Sequence, residues 1–150
     1  MRITVVLVLL ASLVPAANAA GGGITVTRSA HDVNETINRL EAALRAKGIT
    51  IFARIDHAAN AKRVDISLRP EQLLIFGNPK LGSPLMQSNA MVGLDLPLKA
   101  LAWEDADGKV WLAYTDPKTI AARYRIEDRS ALIDKMTGAL KNFAATATHP

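Results

Sequence analysis

Between Val33 and His57 the apolar spacing of the chain changes once, and that change limits the fold more than any other feature. Val33, Ile37, Leu40 and Leu44 recur at steps of four, three and four, one face of a helix, with Asn34, Glu35, Asn38, Arg39 and Glu41 facing out. Ser29 opens an S-x-x-D box with Asp32 and serves as the expected N-cap. Gly48 ends the helix, and from Ile49 to His57 the period falls to two. Alternation puts Ile49, Ile51, Ala53, Ile55 and His57 on one face and Thr50, Phe52, Arg54 and Asp56 on the other.

The flanking segments extend this pattern. Ile24-Thr25-Val26-Thr27 reads as a first strand. Ala58 to Arg63 is a polar stretch, Leu73-Leu74-Ile75-Phe76 a buried strand running into Gly77-Asn78-Pro79, and Lys80 to Pro97 a mostly irregular crossover with a helical turn or two. Leu98–Glu104 and Val110–Thr115 are strands joined by a hairpin at Ala106-Asp107-Gly108. Asp116-Pro117 caps a short helix, and Leu132, Ile133, Met136, Leu140 and Phe143 stripe a last one from about Asp128 to Ala145. Gly138 interrupts that helix at about 1 kcal/mol relative to alanine, a cost expected to reflect close packing against a neighbour.

This order predicts an α+β fold, an antiparallel four- to five-stranded sheet with helices on one face. Phe52, Leu74 or Phe76, Leu101 or Trp103, and Trp111 or Leu112 offer apolar groups to both faces, so the uncovered one is expected to pair with a second copy, a homodimer. The crossover from Lys80 to Pro97 is the other available cover.

With 150 residues, 49% of them hydrophobic, the chain has room for one core and no repeat array or second domain. It has no cysteine, which excludes disulfide scaffolds, cysteine-based metal sites and thiol catalysis. Met1-Arg2, the apolar run Ile3 to Val14 and Pro15-Ala16-Ala17-Asn18-Ala19 form the three parts of an export signal. The run is shorter than the roughly 20 residues that span a bilayer as a helix. Cleavage after Ala19, and no stable membrane anchor afterwards, are expected, which places the chain in the periplasm or outside the cell. The resulting division is a signal at 1–19, a flexible leader at 20–23, a domain at 24–145 and a disordered tail at 146–150. Lys62-Arg63 and Arg123, Arg125 and Arg129 lack interleaved aromatics, so nucleic acid is not an expected partner.

Chemistry has few places to sit. Asp56 and His57 adjoin, but strand neighbours point to opposite faces. An acid–base role for His57 therefore needs Asp95 or Glu104 as partner, and a metal centre would combine it with Met86, Met91, Asp56 or Asp95, a set without diagnostic spacing. The sequence leaves the cofactor, if any, unknown, a copper or haem iron included. Gly77-Asn78-Pro79-Lys80-Leu81-Gly82 lacks the G-K-[ST] of a phosphate loop.

Ile55-Asp56-His57, Phe76-Gly77-Asn78-Pro79-Lys80, Gly82-Ser83-Pro84-Leu85-Met86, Leu94-Asp95-Leu96-Pro97-Leu98 and Trp103-Glu104-Asp105 together resemble the domain of unknown function 302 family, from about Ile24 to Ala144. Ser83 stands where threonine is common there, and Asn89-Ala90 where proline often appears. The resemblance implies a β-α-β-β-β-β-α sandwich, often dimeric, without established activity. It points to a shared patch at Asp56, His57, Asn78, Asp95 and Glu104, suited to a small ligand or a partner segment, or else to acid–base catalysis through His57. Export itself is checked by intact mass of protein from its native host, which should begin at Ala20; a full-length mass in a membrane fraction would refute it.

Overall fold

The computed structural model describes residues 22–150 together with the backbone of Ala19–Ala20. The export signal expected at 1–19 lies outside the described side chains. In chain order the elements are β1 (Ala19–Ala20), β2 (Ile24–Arg28), α1 (Val33–Ala46), β3 (Thr50–Asp56), α2 (His57–Lys62), β4 (Glu71–Gly77), α3 (Pro79–Ser88), a 3₁₀ turn (Ala90–Leu94), β5 (Leu98–Glu104), β6 (Val110–Thr115), α4 (Pro117–Arg123) and α5 (Ser130–Thr148). The strands form one antiparallel sheet in the order β1-β2-β6-β5-β4-β3, in which β1 only extends an edge of five main strands. The α+β arrangement expected from the periodicities is the one observed.

α1 buries Val33, Ile37, Leu40 and Leu44, the residues whose spacing marks it as a helix. They meet Leu74 and Phe76 of β4, Leu112 and Tyr114 of β6, and Leu140 and Ala144 of α5, so α1 and α5 lie side by side on one sheet face. Side chains of this size contribute about 1.5–3 kcal/mol each on burial. A second, smaller core joins Leu85 of α3 and Val92 of the 3₁₀ turn to Ile120 of α4 and Ile133 and Met136 of α5.

Several local expectations are corrected. The cap of α1 is Asp32, whose Oδ1 accepts from the Glu35 N–H at 2.7 Å. Ser29 instead lies buried with its hydroxyl 2.7 Å from that of Thr36. The polar stretch after β3 forms α2, capped by Asp56, so His57 begins a helix rather than ending a strand. The crossover is largely helical because Asn78 caps α3 and Pro79 fills its first position, where a missing N–H costs nothing. It packs on α4 and α5 and leaves the far sheet face open.

The terminal segments are also more tightly held than the composition suggests. A Cβ on Gly23 would collide with the Thr119 side chain, which makes this glycine a close contact and not a loose leader. The expected tail is the last turn of α5: Ala147 and Thr148 are buried, and the Ala30 N–H donates to the Thr148 carbonyl at 2.8 Å.

β3 departs from strict alternation. Ile51 pairs with Phe76 and Ala53 with Ile75, leaving Phe52 in a bulge. Ile51 therefore faces the helices, Ala53 and Ile55 face away, and Arg54 turns back to donate to Asn34 and Asn38 of α1 at 2.7 Å each. On β5, Leu101 and Trp103 both face away from the helices, paired with Ala113 and Trp111.

Gly138 has nothing within 4 Å of where a Cβ would stand, so close packing does not explain it. Gly138→Ala should raise unfolding free energy by about 0.5–1 kcal/mol in urea titration, through lower entropy of the unfolded chain. An unchanged or lowered value would refute that account.

Candidate functional site

The pocket of interest opens where the two cores fail to meet. Leu44, Phe76 and Leu140 belong to the first core and Leu81, Leu96 and Met136 to the second, and between them lies a cavity of about 310 Å³. Phe52 from the β3 bulge and Phe143 from α5 complete its walls.

The chain reaches this place through a strand-to-helix turn. β4 delivers Phe76 and Gly77, and the Asn78 side chain accepts from the Lys80 N–H at 2.9 Å, starting α3 at Pro79. A Cβ on Gly77 would stand 3.4 Å from the Phe52 ring and 3.5 Å from Pro97, and one on Gly82 3.7 Å from Leu96. These are ordinary contact distances. Glycine at both positions leaves room in the pocket instead of relieving a clash. Leu96 and Pro97, joined by a cis peptide, line the pocket beside this turn.

Among the described residues no ionisable side chain lines the pocket, and Asn78 and Ser83 are its polar side chains. The Asn78 side-chain oxygen accepts in the helix cap, and its amide N–H₂ has no partner among the described residues. Ser83 is exposed at the rim.

The five residues singled out from the sequence do not form one cluster. Asp56 pairs with Gln72 at one end of the sheet, whereas Thr50 pairs with Gly77, next to Asn78, at the other. Five residues of β4 separate the two ends, about 17 Å. Asp56 caps α2 and accepts from the Ala59 N–H at 2.8 Å. Asp95 follows the 3₁₀ turn and binds the Arg123 guanidinium at 2.6 Å. Beside it, burial first and then the Asp95 carboxylate raise the Tyr124 phenol above its ordinary pKa.

Glu104 lies at the Asp56 end of the sheet, but β4 stands between β3 and β5, a separation of about 10 Å. Among the described residues His57 makes no hydrogen bond to Glu104, and Asp95 lies toward the other end of the sheet. Met86 lines the pocket and Met91 lies on the adjoining 3₁₀ turn, also at the end away from His57. Among the described residues no three His, Asp or Glu side chains converge as for a metal ion.

The acids near the β5–β6 hairpin are structural. Asp105 accepts from the Asp107 and Lys109 N–H groups at 2.9 Å and from the Trp111 indole at 2.7 Å. The indole first, and the Lys109 amide next, hold its carboxyl below the ordinary aspartate value.

Sequence reasoning missed Phe52, Met136 and Phe143 as pocket residues. The available signal was the run of motif pieces themselves: Phe76 to Asn78, Gly82-Ser83 with Met86, and Leu96 to Leu98 all border the cavity.

Comparison with known proteins agrees with this fold. The family model described as "Domain of unknown function DUF302" matches residues 24–143. A crystal structure of an uncharacterized conserved DUF302 protein from Bacillus stearothermophilus superposes with a TM-score of 0.75 at 17% identity, covering 83% of this chain and 98% of that one. Two Brucella proteins named fluoride-specific ion channel FluC 1, from Brucella suis biovar 1 (strain 1330) and Brucella abortus biovar 1 (strain 9-941), are each 42% identical over 135 residues. The matches take in 87% of this chain but 53% and 50% of those proteins, so the chain spans about half the length of the curated relatives.

Proposed function

This chain belongs to the DUF302 family, and on that premise we propose that it is an exported binding protein holding a small, neutral, mainly apolar molecule in the pocket between its two cores. The lining carries this reading. Its walls are aliphatic and aromatic, it contains no charge to stabilise an ionic ligand, and the Asn78 amide supplies one directional donor. About 310 Å³ is at the small end of ligand pockets, enough for a single ring system or a short branched chain. Acid–base catalysis is the weaker reading, because the histidine it requires stands apart from both of its candidate partners.

A second reading is favoured by the 42% identity with the two fluoride channels. Among the described residues no helix is long and apolar enough to cross a membrane. On this reading the chain is an accessory to ion transport. Liposomes loaded with fluoride should retain it when mixed with this chain, and release would locate conduction in the matched half.

The pocket reading is tested with a neutral naphthalene fluorophore that brightens in apolar surroundings. Ala139 is half-buried on the pocket wall. Ala139→Phe should fill the cavity and weaken binding by about tenfold or more, since the ring takes the ligand's space. His57→Ala should leave affinity unchanged. Equal binding to both variants, or none to the parent chain, would refute the proposal.

A further inference from the structure

We infer that the pocket between the two cores selects an aromatic ring carrying one hydrogen-bond acceptor, an aryl ketone or aldehyde in kind, over a saturated ring of the same size. The inference rests on the pocket reading above and adds the chemical class of the occupant. The placement of one residue type points to it. The chain contains three phenylalanines, Phe52, Phe76 and Phe143, and all three line this pocket. The second core, which borders the same pocket, contains none of them and is built mainly from leucine, isoleucine, valine and alanine.

Core packing accounts for Phe76, which is 2% exposed within the first core. It does not account for Phe52. That ring is 53% exposed, yet its edge is close to the backbone, 3.4 Å from where a Cβ on Gly77 would stand. A phenyl ring kept in water at a pocket mouth gains its burial only when an occupant covers it. The other polarizable groups are methionines, Met86 and Met136. Met86 is exposed and lies beside two glycines, its Cε 3.8 Å from a Cβ placed on Gly82 and its Sδ 3.7 Å from one on Gly93. An unbranched thioether adjusts to the shape of its neighbour, and its sulfur is attracted to the edge of an aromatic ring. Phenyl walls likewise hold a flat ring edge-to-face or offset, through the quadrupoles of both, an attraction that a saturated ring does not receive.

Size and polarity set the rest. Benzene occupies an apolar cavity of about 150 Å³, so a pocket of about 310 Å³ has room for one ring with a short substituent. Pro79 and Pro97 on its lining have no N–H to offer that substituent. Donation falls to the Asn78 amide, whose oxygen already accepts from the Lys80 N–H at 2.9 Å. The cap thus fixes which end of the amide is left over, and that end calls for an acceptor on the occupant.

Competition against the neutral naphthalene fluorophore provides the test. Acetophenone should displace it at about one-tenth of the concentration needed with cyclohexyl methyl ketone, which matches it in size and oxygen. Phe52→Leu, at an exposed position, should cut that preference to about threefold. Asn78→Asp keeps an oxygen for the Lys80 N–H and removes the donor, so it should weaken acetophenone about tenfold more than ethylbenzene, which has no acceptor. Fluorophore binding with no preference between the two ketones, a preference untouched by Phe52→Leu, or equal losses of acetophenone and ethylbenzene in Asn78→Asp would each overturn the inference and leave the pocket reading standing. Absence of fluorophore binding by the parent chain would overturn both.

Discussion

A strand that alternates without interruption cannot turn Ile51 and Arg54 toward the same layer, because three positions separate them. The bulge at Phe52 removes that prohibition, and much of the molecule follows from it. Ile51 enters the core beside Phe76, while Arg54 reaches the flank of α1 and ties it to the sheet edge through Asn34, Asn38 and Gln72. Phe52, left outside the ladder, becomes a pocket wall. Were the same residues to alternate regularly, either the arginine would point to the open face or the isoleucine would leave the core. β-Bulges are used in this way at sheet edges, where a strand must re-aim a side chain without losing its partner.

The legible parts of the sequence were those in which one physical signal dominates. α1 has four apolar residues at helical spacing and a glycine at φ +69° directly after its end, and nothing competes with that pattern. β5 and β6 flank a hairpin whose Gly108 has φ +73°. The bulge was not legible, because Phe52 suits an alternating strand as well as an interrupted one. α2 buries no side chain, so it has no periodicity to detect; its helicity comes from the Asp56 cap. α3 contains Gly82 and Pro84, both poor helix formers, and is carried by its Asn78-Pro79 start and by Leu85 in the second core. The end of α5 packs with alanine and threonine, whose burial leaves little trace in hydropathy.

The candidate site was partly legible for a related reason. Motif pieces fall at the ends of strands, and an antiparallel sheet distributes those ends between two rims. Asp56 and Glu104 belong to one rim and Asn78 and Asp95 to the other, so sequence proximity to a strand end did not mean proximity in space. The apolar members of the same pieces, Phe76, Leu96 and Leu98, converge because each adjoins the gap between the cores. What the family resemblance marked is therefore better described as a hollow than as a set of polar groups. The hollow and the open sheet face lie on opposite sides of β4.

The sheet order has a consequence for how the chain comes to be folded. β2 is the first of the main strands to be synthesised, yet its only long partner is β6, and Val26 waits for Ala113. Ala30, just beyond β2, waits longer still, for the carbonyl of Thr148 almost at the other end of the chain. Contacts this distant along the sequence form slowly and cannot close on a partly made chain. The first of the five main strands therefore stays without its long partner until β6 has been made, and the segment after it without its own until the chain is nearly complete. A fold whose earliest long strand is among the last to be satisfied closes as a whole, not piece by piece from its first residue.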